Sequence, residues 1–250
     1  MTSPHPCGID FGGSGIKGAS VDLAAGDFAG ERVKIATPRP ATPAAVAEVF
    51  AELLGRFPAS DAPVGVTVPG VVRHGVVRSA ANIDPAWVGT DADALFTRAL
   101  GRDVHVVNDA DAAGLAEAEY GAARGRRGLV VVTTLGTGIG SALIHNGVLV
   151  PNSELGHLEV EGHDAESRAA NSAREAEGLS WAEWAARLTV YYRTVERLFS
   201  PDLFVVGGGV SKDSEHFLPL VDIETDIVPA RLRNRAGIIG AALEATRQSG

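Results

Sequence analysis

The sequence predicts an α/β fold, and three observations support this. Strand-like and helix-like runs alternate along the chain. The longest helical run is amphipathic and carries its own capping signal. One arrangement, strand, glycine turn, strand, occurs twice, as GIDFGGSGIKGASV at 8–21 and VTTLGTGIGSALI at 132–144. Two related halves facing a cleft would explain that echo.

Taken in order, residues 7–11 and 16–22 read as strands around the turn GGSG, with a third strand over 30–36. Thr42 followed by Pro43 supplies the cap and first turn of a helix over 43–54, and Gly55 stands where it stops. A strand over 64–68 ends at Pro69 and Gly70, and VVRHGVV reads as a hairpin centred near His74 and Gly75. A helix over 91–100, started by Thr90 and closed by Gly101, leads to a strand over 103–107. Asn108 and Asp109 then stand at that strand's carboxyl end, ahead of a helix over 110–120, where α/β proteins place chemistry. GAARGRRG, 121–128, reads as a loop, after which LVVVTTLGTGIGSALIHNGVLV resumes the strand, turn, strand pattern. Ser180 and Glu183 form a capping box for a helix over 181–199, whose Trp181, Trp184, Leu188, Val195 and Leu198 recur at helical spacing and are assigned to core or subunit interface. A strand over 202–209 and a helix over 237–247 complete the pattern.

At 250 residues, 45% hydrophobic and 21% charged, the chain can bury a substantial core as one large domain or two lobes. Cys7 is the only cysteine, so no internal disulfide forms and a reducing cytoplasm is expected. No signal-like start and no apolar run of about 20 residues is present, so no membrane span is expected. A net charge of −9 argues against a broad nucleic-acid or membrane surface, so an anionic ligand must be met locally. Nineteen of the 22 basic residues are arginine, which suits phosphate but is equally the mark of a compositional bias.

The run DFGGSGIKG has the chemistry of a phosphate cradle. Gly12, Gly13 and Gly15 remove side chains so that backbone N–H groups can approach an anion, Ser14 adds a hydroxyl and Lys17 a point charge. Neither GxxxxGK[ST] nor GxGxxG before a helix is matched. A tight hairpin needs glycine for shape alone, so the recurrence as LGTGIG, with Thr137 supplying the hydroxyl, is what strengthens the case for two turns gripping one phosphorylated ligand. In SELGHLEVEGH, 153–163, carboxylates and imidazoles crowd together, and a metal site is the first reading.

These two turns, together with GVTVPG (65–70), AANID (80–84), NDADAAGLAE (108–117), ELGH (154–157) and VVGGG (205–209), resemble the ROK family of sugar kinases within the actin and hexokinase superfamily. The likeness runs from about residue 8 to 245 and is strongest to the polyphosphate-using glucokinases of that family. It implies a two-lobed actin-like ATPase (ribonuclease H-like) α/β fold with an interlobe cleft. The lobes are expected over 1–109 plus 236–250 and over 110–235. It further implies that Asp10 helps position Mg2+ with the phosphates and that Gly12, Gly13, Ser14 and Lys17 hold the donor on one side. Thr137 and Gly138 hold it on the other, and Gly208 lies in the family's adenosine-side motif. Asp109 matches the catalytic base that takes the proton from the sugar 6-hydroxyl. Asn82, Asn108, Glu154 and His157 would bind sugar hydroxyls with Asp109, and a third acid would be Glu166 or its nearer rival Glu159. A homodimer is also implied.

Sugar recognition by carboxylates, amides and imidazoles is sound chemistry for an uncharged polyhydroxyl ligand. Many ROK proteins follow ELGH with a cysteine cluster that holds structural zinc. No cysteine follows Cys7 here, so no structural zinc of that kind is expected and the crowded stretch reads as sugar-binding, with Glu161 and His163 on a solvated loop. The expected activity is glucose phosphorylation from inorganic polyphosphate, with ATP as a second donor. A polyphosphate track has two candidates, Arg124, Arg126 and Arg127 or Arg231, Arg233 and Arg235, and a solvated surface accounts for either equally well. The other readings are an ATP-dependent hexokinase, an amino-sugar or fructose kinase, and a non-catalytic sugar sensor. The sensors carry an added N-terminal helix-turn-helix, for which no room precedes residue 8.

Overall fold

In the computed structural model residues 5–58, 61–80 and 83–249 are described. The chain forms two compact units, Met1–Ala116 with Arg235–Gly250, and Glu117–Asn234.

The hairpin β1 (Cys7–Gly12) and β2 (Gly15–Asp22) sets Asp10 opposite Lys17 and Gly12 opposite Gly15. Short strands β3 (Asp27–Phe28) and β4 (Val33–Ile35) both pair with β2. Helix α1 (Pro43–Leu54) starts where the Thr42 hydroxyl accepts the Ala45 N–H. Strand β5 (Val64–Val68) runs parallel to β1, and the hairpin of β6 (Val72–Arg73) and β7 (Val76–Val77) turns through His74 and Gly75, both at positive φ. Helix α2 (Ala92–Leu100) is capped by Asp91, whose carboxylate accepts the Ala94 N–H. The expected cap, Thr90, instead turns its hydroxyl back to the Ala86 carbonyl. Strand β8 (Val104–Asn108) lies parallel to β5, one residue later than expected, and α3 (Asp109–Tyr120) follows it without a break.

Strands β9 (Leu129–Leu135), β10 (Ile139–His145) and β11 (Val148–Val150) form an antiparallel meander. A small hairpin, β12 (Glu159–Val160) with β13 (His163–Asp164), leads into two short helices absent from the sequence reading, α4 (Ala165–Ala169) and α5 (Asn171–Glu177). Helix α6 (Trp181–Phe199) begins at the Ser180–Glu183 capping box. Strands β14 (Leu203–Gly207) and β15 (Ile227–Pro229) and helix α7 (Ala236–Gln248) complete the chain.

Each unit is built on the same sheet pattern. In the first the order is β3-β2-β1-β5-β8, in the second β11-β10-β9-β14-β15, and in each a glycine-turn hairpin continues into two parallel strands. The repeated sequence motif is thus the hairpin at the same place in two sheets. Alternation along β1 and β5 sends Ile9, Phe11, Val64, Val66 and Val68 into a core with Phe50, Trp87 and Phe96. The opposite face, with Gly8, Asp10, Gly65 and Thr67, meets α7. Gly8 and Gly65 lie directly against the backbone carbonyls of Ile238 and Ala241, so the helix rests on the sheet with no side chain between, and Gly240 meets the Ala112 carbonyl of α3 equally closely.

In the second unit α6 buries Trp184, Leu188, Tyr191, Tyr192 and Val195 against Val131, Phe204 and Val206. Leu198, expected on that stripe, is 57% exposed. It lies one heptad beyond the buried Tyr191, at the last turn of the helix, which ends at Phe199. Among the described residues no helix is long and apolar enough to cross a membrane.

Candidate active site

The first glycine turn presents Gly13 and Ser14 to solvent, and the Thr37 hydroxyl holds its shoulder by donating to the Gly12 carbonyl at 2.6 Å. Behind it Asp10 is fixed from three sides. Thr67 Oγ1, wholly buried, donates to Asp10 Oδ1 at 3.1 Å while accepting the Phe11 N–H at 3.1 Å. Lys17 Nζ stands 3.5 Å from Asp10 Oδ2. The first turn of α7 arrives at Gly237, where a Cβ would lie 3.2 Å from Asp10 Oδ1, and the positive end of that helix favours a carboxylate. Asp10, Lys17 and the glycine turn therefore form one constellation.

Asn108 and Asp109 sit where β8 becomes α3. Asn108 Oδ1 accepts the N–H groups of Ala110 and Asp111 at 2.8 and 3.0 Å, and its Nδ2 donates to the Gly70 carbonyl at 3.0 Å. Its amide thus caps the helix and anchors the loop after β5, leaving one N–H for another acceptor. Asp109 is half-buried at the helix start, its Oδ1 accepting the Ala110 N–H at 2.9 Å. Asn82 lies outside the described residues.

The second turn, LGTGIG, is stapled to α4 and α5. Ser172 donates its hydroxyl to the Thr137 carbonyl at 2.6 Å and its N–H to the Gly136 carbonyl at 3.1 Å. Glu166 Oε2 accepts the Ile139 N–H at 3.0 Å and lies against Gly138 so closely that any side chain there would displace it. Gly208, at φ 84°, abuts the Leu135 backbone at the start of the turn, where a Cβ could not fit.

Glu166 also joins the acidic loop. Its N–H donates to Asp164 Oδ1 at 3.1 Å, Asp164 Oδ2 meets His157 Nδ1 at 2.9 Å, and His157 Nε2 stands 3.9 Å from Glu154 Oε2. The hydrogen bond to Asp164 holds the His157 imidazole above its ordinary range, and desolvation pushes the Glu154 carboxyl up. With Nδ1 bound to a carboxylate, Nε2 is the face of the ring left for a ligand. His157, Asp164 and Glu166 offer three atoms within 4.8 Å of one another, a set that suits hydroxyl groups or a cation. Glu159 is exposed on β12, opposite Asp164, and stands outside that trio. Glu161 and His163 are exposed, His163 beside Arg168.

Three residues of these constellations were not singled out from sequence. Asp164 had a signal, as a capping residue directly before AESRA. Thr67 and Ser172 had none beyond polar character. Arg235, grouped with the second arginine cluster, instead pairs with Asp27 at 2.6 Å in the first unit.

The protein-family model "ROK family" matches residues 6–169. A polyphosphate glucokinase of Mycobacterium tuberculosis is 52% identical over 243 residues, covering 97% of this chain and 91% of that one. The solved inorganic polyphosphate/ATP-glucomannokinase from Arthrobacter sp. strain KM matches with TM-score 0.95 and 57% identity over 99% of this chain and 100% of that chain. A ROK family glucokinase from Streptomyces griseus, solved with glucose and AMPPNP, matches with TM-score 0.83 and 25% identity over 98% and 99%. The expected actin-like ATPase fold is the fold of these sugar kinases. With its two glycine turns, its strand-tip aspartate and its ELGH loop all falling within the matched span, the chain belongs to the ROK family.

Proposed function

We propose that the chain is a glucokinase that transfers the terminal phosphoryl group of inorganic polyphosphate, and of ATP as a second donor, to the 6-hydroxyl of glucose. Its 52% identity over nearly the whole chain to a polyphosphate glucokinase supports the donor and acceptor. The observation that carries the chemistry is the half-buried Asp109 at the tip of β8, in a chain with two glycine turns. As the sugar O6 bonds to phosphorus, the bond from phosphorus to the leaving phosphate oxygen breaks and the O6 proton passes to the Asp109 carboxylate. The Gly12–Gly15 turn with Ser14 and Lys17, and the Thr137–Gly138 turn, offer backbone N–H groups and a cation to the donor phosphates. Glu154, His157 and Glu166 are the groups for sugar hydroxyls, and the place of Glu166 in the His157 trio favours it over Glu159 as the third acid.

Asp10 fits a magnesium ion, since a carboxylate fixed by Thr67 beside a phosphate-binding turn is the hard oxygen donor that such an ion shares with phosphates. When bound, the ion neutralises charge developing on the transferred group. Cytoplasmic location and a homodimer complete the reading, the latter checked by light scattering in solution. Glucose phosphorylation measured with polyphosphate and with ATP in turn is the deciding experiment. Product from ATP and none from polyphosphate would overturn the donor assignment, and no product from either would overturn the reading.

A further inference from the structure

The second unit carries five exposed guanidinium groups that the transfer chemistry does not use: Arg124, Arg126 and Arg127 in one loop, Arg231 and Arg233 in another. The two loops meet at one buried carboxylate. Glu117, 1% exposed, accepts the Ala122 N–H at 2.7 Å and the Arg231 N–H at 3.1 Å on the same oxygen, and the Leu232 N–H at 2.7 Å on the other. Three backbone donors satisfy the buried charge and hold both arginine loops at a common point. Among the described residues none of the five is in an ion pair. In a chain of net charge −9, five unpaired arginines drawn together are a local exception to the overall field.

Their position relates them to the donor. Strands β9, β14 and β15 are parallel neighbours, so their carboxyl ends lie on one edge of the sheet. The LGTGIG turn follows β9, Gly208 and Gly209 follow β14, and Arg231 follows β15 by one residue beyond Ala230. Gly208 touches the Leu135 backbone, and a Cβ on Gly207 would lie 3.6 Å from that of Ala230, so the three segments are in contact in that order. Two interstrand spacings of about 4.8 Å put Arg231 roughly 10 Å from the donor turn along the same edge. The 121–128 loop runs from the Glu117 junction toward the amino end of β9, carrying Arg124, Arg126 and Arg127 progressively farther from the turn.

We propose that Arg231, Arg233, Arg124, Arg126 and Arg127 form a track for the trailing units of a polyphosphate chain whose reacting end lies at the LGTGIG turn. This rests on the glucokinase reading above and adds to it a preference for long polymer over short. Guanidinium forks recognise successive phosphates without reading any base, and every occupied unit adds to retention. A short donor, tripolyphosphate or ATP, ends before the track.

The test compares the wild type with two variants, Arg231→Gln with Arg233→Gln, and Arg124→Gln with Arg126→Gln and Arg127→Gln. Steady-state glucose phosphorylation is measured with long-chain polyphosphate, tripolyphosphate and ATP at two or more salt concentrations. Each variant is expected to raise KM for the long polymer by about tenfold or more while kcat holds, as the loss of several charge contacts together gives. KM for tripolyphosphate and ATP should stay within about twofold, and the wild type's steeper salt dependence with the long polymer should flatten. Unchanged KM for the long polymer, or an equal rise for all three donors, overturns the track alone. A wild type that phosphorylates glucose from ATP but from no polyphosphate overturns the donor reading and the track with it.

Discussion

Replacing Thr67 by Val tests whether the Asp10 site is held together as described. The side chains have nearly the same shape, so the change removes one hydroxyl and little volume. That hydroxyl is wholly buried and serves two partners, the Phe11 N–H and Asp10 Oδ1, each at 3.1 Å. The Phe11 amide lies in a strand interior and would lose its partner without access to water, a cost of about 1–3 kcal/mol. Asp10 is 22% exposed, so water replaces part of the second bond and its loss is discounted to about 1 kcal/mol. The sum is roughly 2–4 kcal/mol, enough to shift a folding equilibrium by a factor of about 30 to 1,000. Urea unfolding of wild type, Thr67→Val and Thr67→Ser gives the loss, the serine variant keeping the hydroxyl and most of the stability. The valine variant should also show weakened glucose phosphorylation, because Asp10 loses an orienting donor. A valine variant within about 0.5 kcal/mol of wild type would refute the reasoning, since that is the range of an inconsequential surface change.

Asp109→Asn should lower kcat by about 10²–10⁴-fold while glucose binding, followed by calorimetry, stays measurable; a near-normal rate would remove Asp109 from the role of base. The His157 pKa is raised from 6.5, chiefly by its hydrogen bond to Asp164, so the stability from that pairing is complete below about pH 6.5 and fades as pH rises through the folded value. In Asp164→Asn the imidazole proton resonances of His157 should titrate at lower pH than in wild type, and an unmoved midpoint would disprove the pairing. Gly65→Ala should destabilise by about 1–3 kcal/mol or more, because its methyl would overlap the Ala241 carbonyl and push α7 off the sheet; a melting temperature equal to wild type would count against that packing.

Local chemistry made much of the fold readable. The α6 cap was legible because Ser180 and Glu183 satisfy one another within four residues, and the hairpin at His74–Gly75 because its turn needs positive φ. Where two adjacent residues both make good caps, as Thr90 and Asp91 do, spacing could not choose, and the choice fell to a preceding turn whose Ala86 carbonyl claimed the threonine. Leu198 is not part of the core its spacing pointed to, because it falls in the last turn of α6, one heptad past the buried Tyr191. The glycine turns and Asp109 were legible as motifs. The Glu166, Asp164 and His157 chain and the Glu117 junction were not, since each joins segments through tertiary hydrogen bonds that no sequence spacing encodes.

The seat of α7 on β1, β5 and β8 has a bearing on biosynthesis. The glycine-lined face of the first sheet waits for a helix that the ribosome delivers only after the whole 117–234 unit has been made. At about 5–20 residues per second that interval is roughly 6 to 24 s. Throughout it the nascent first sheet stands bare on one side, so whatever shields that surface in the cell governs how much of this protein matures.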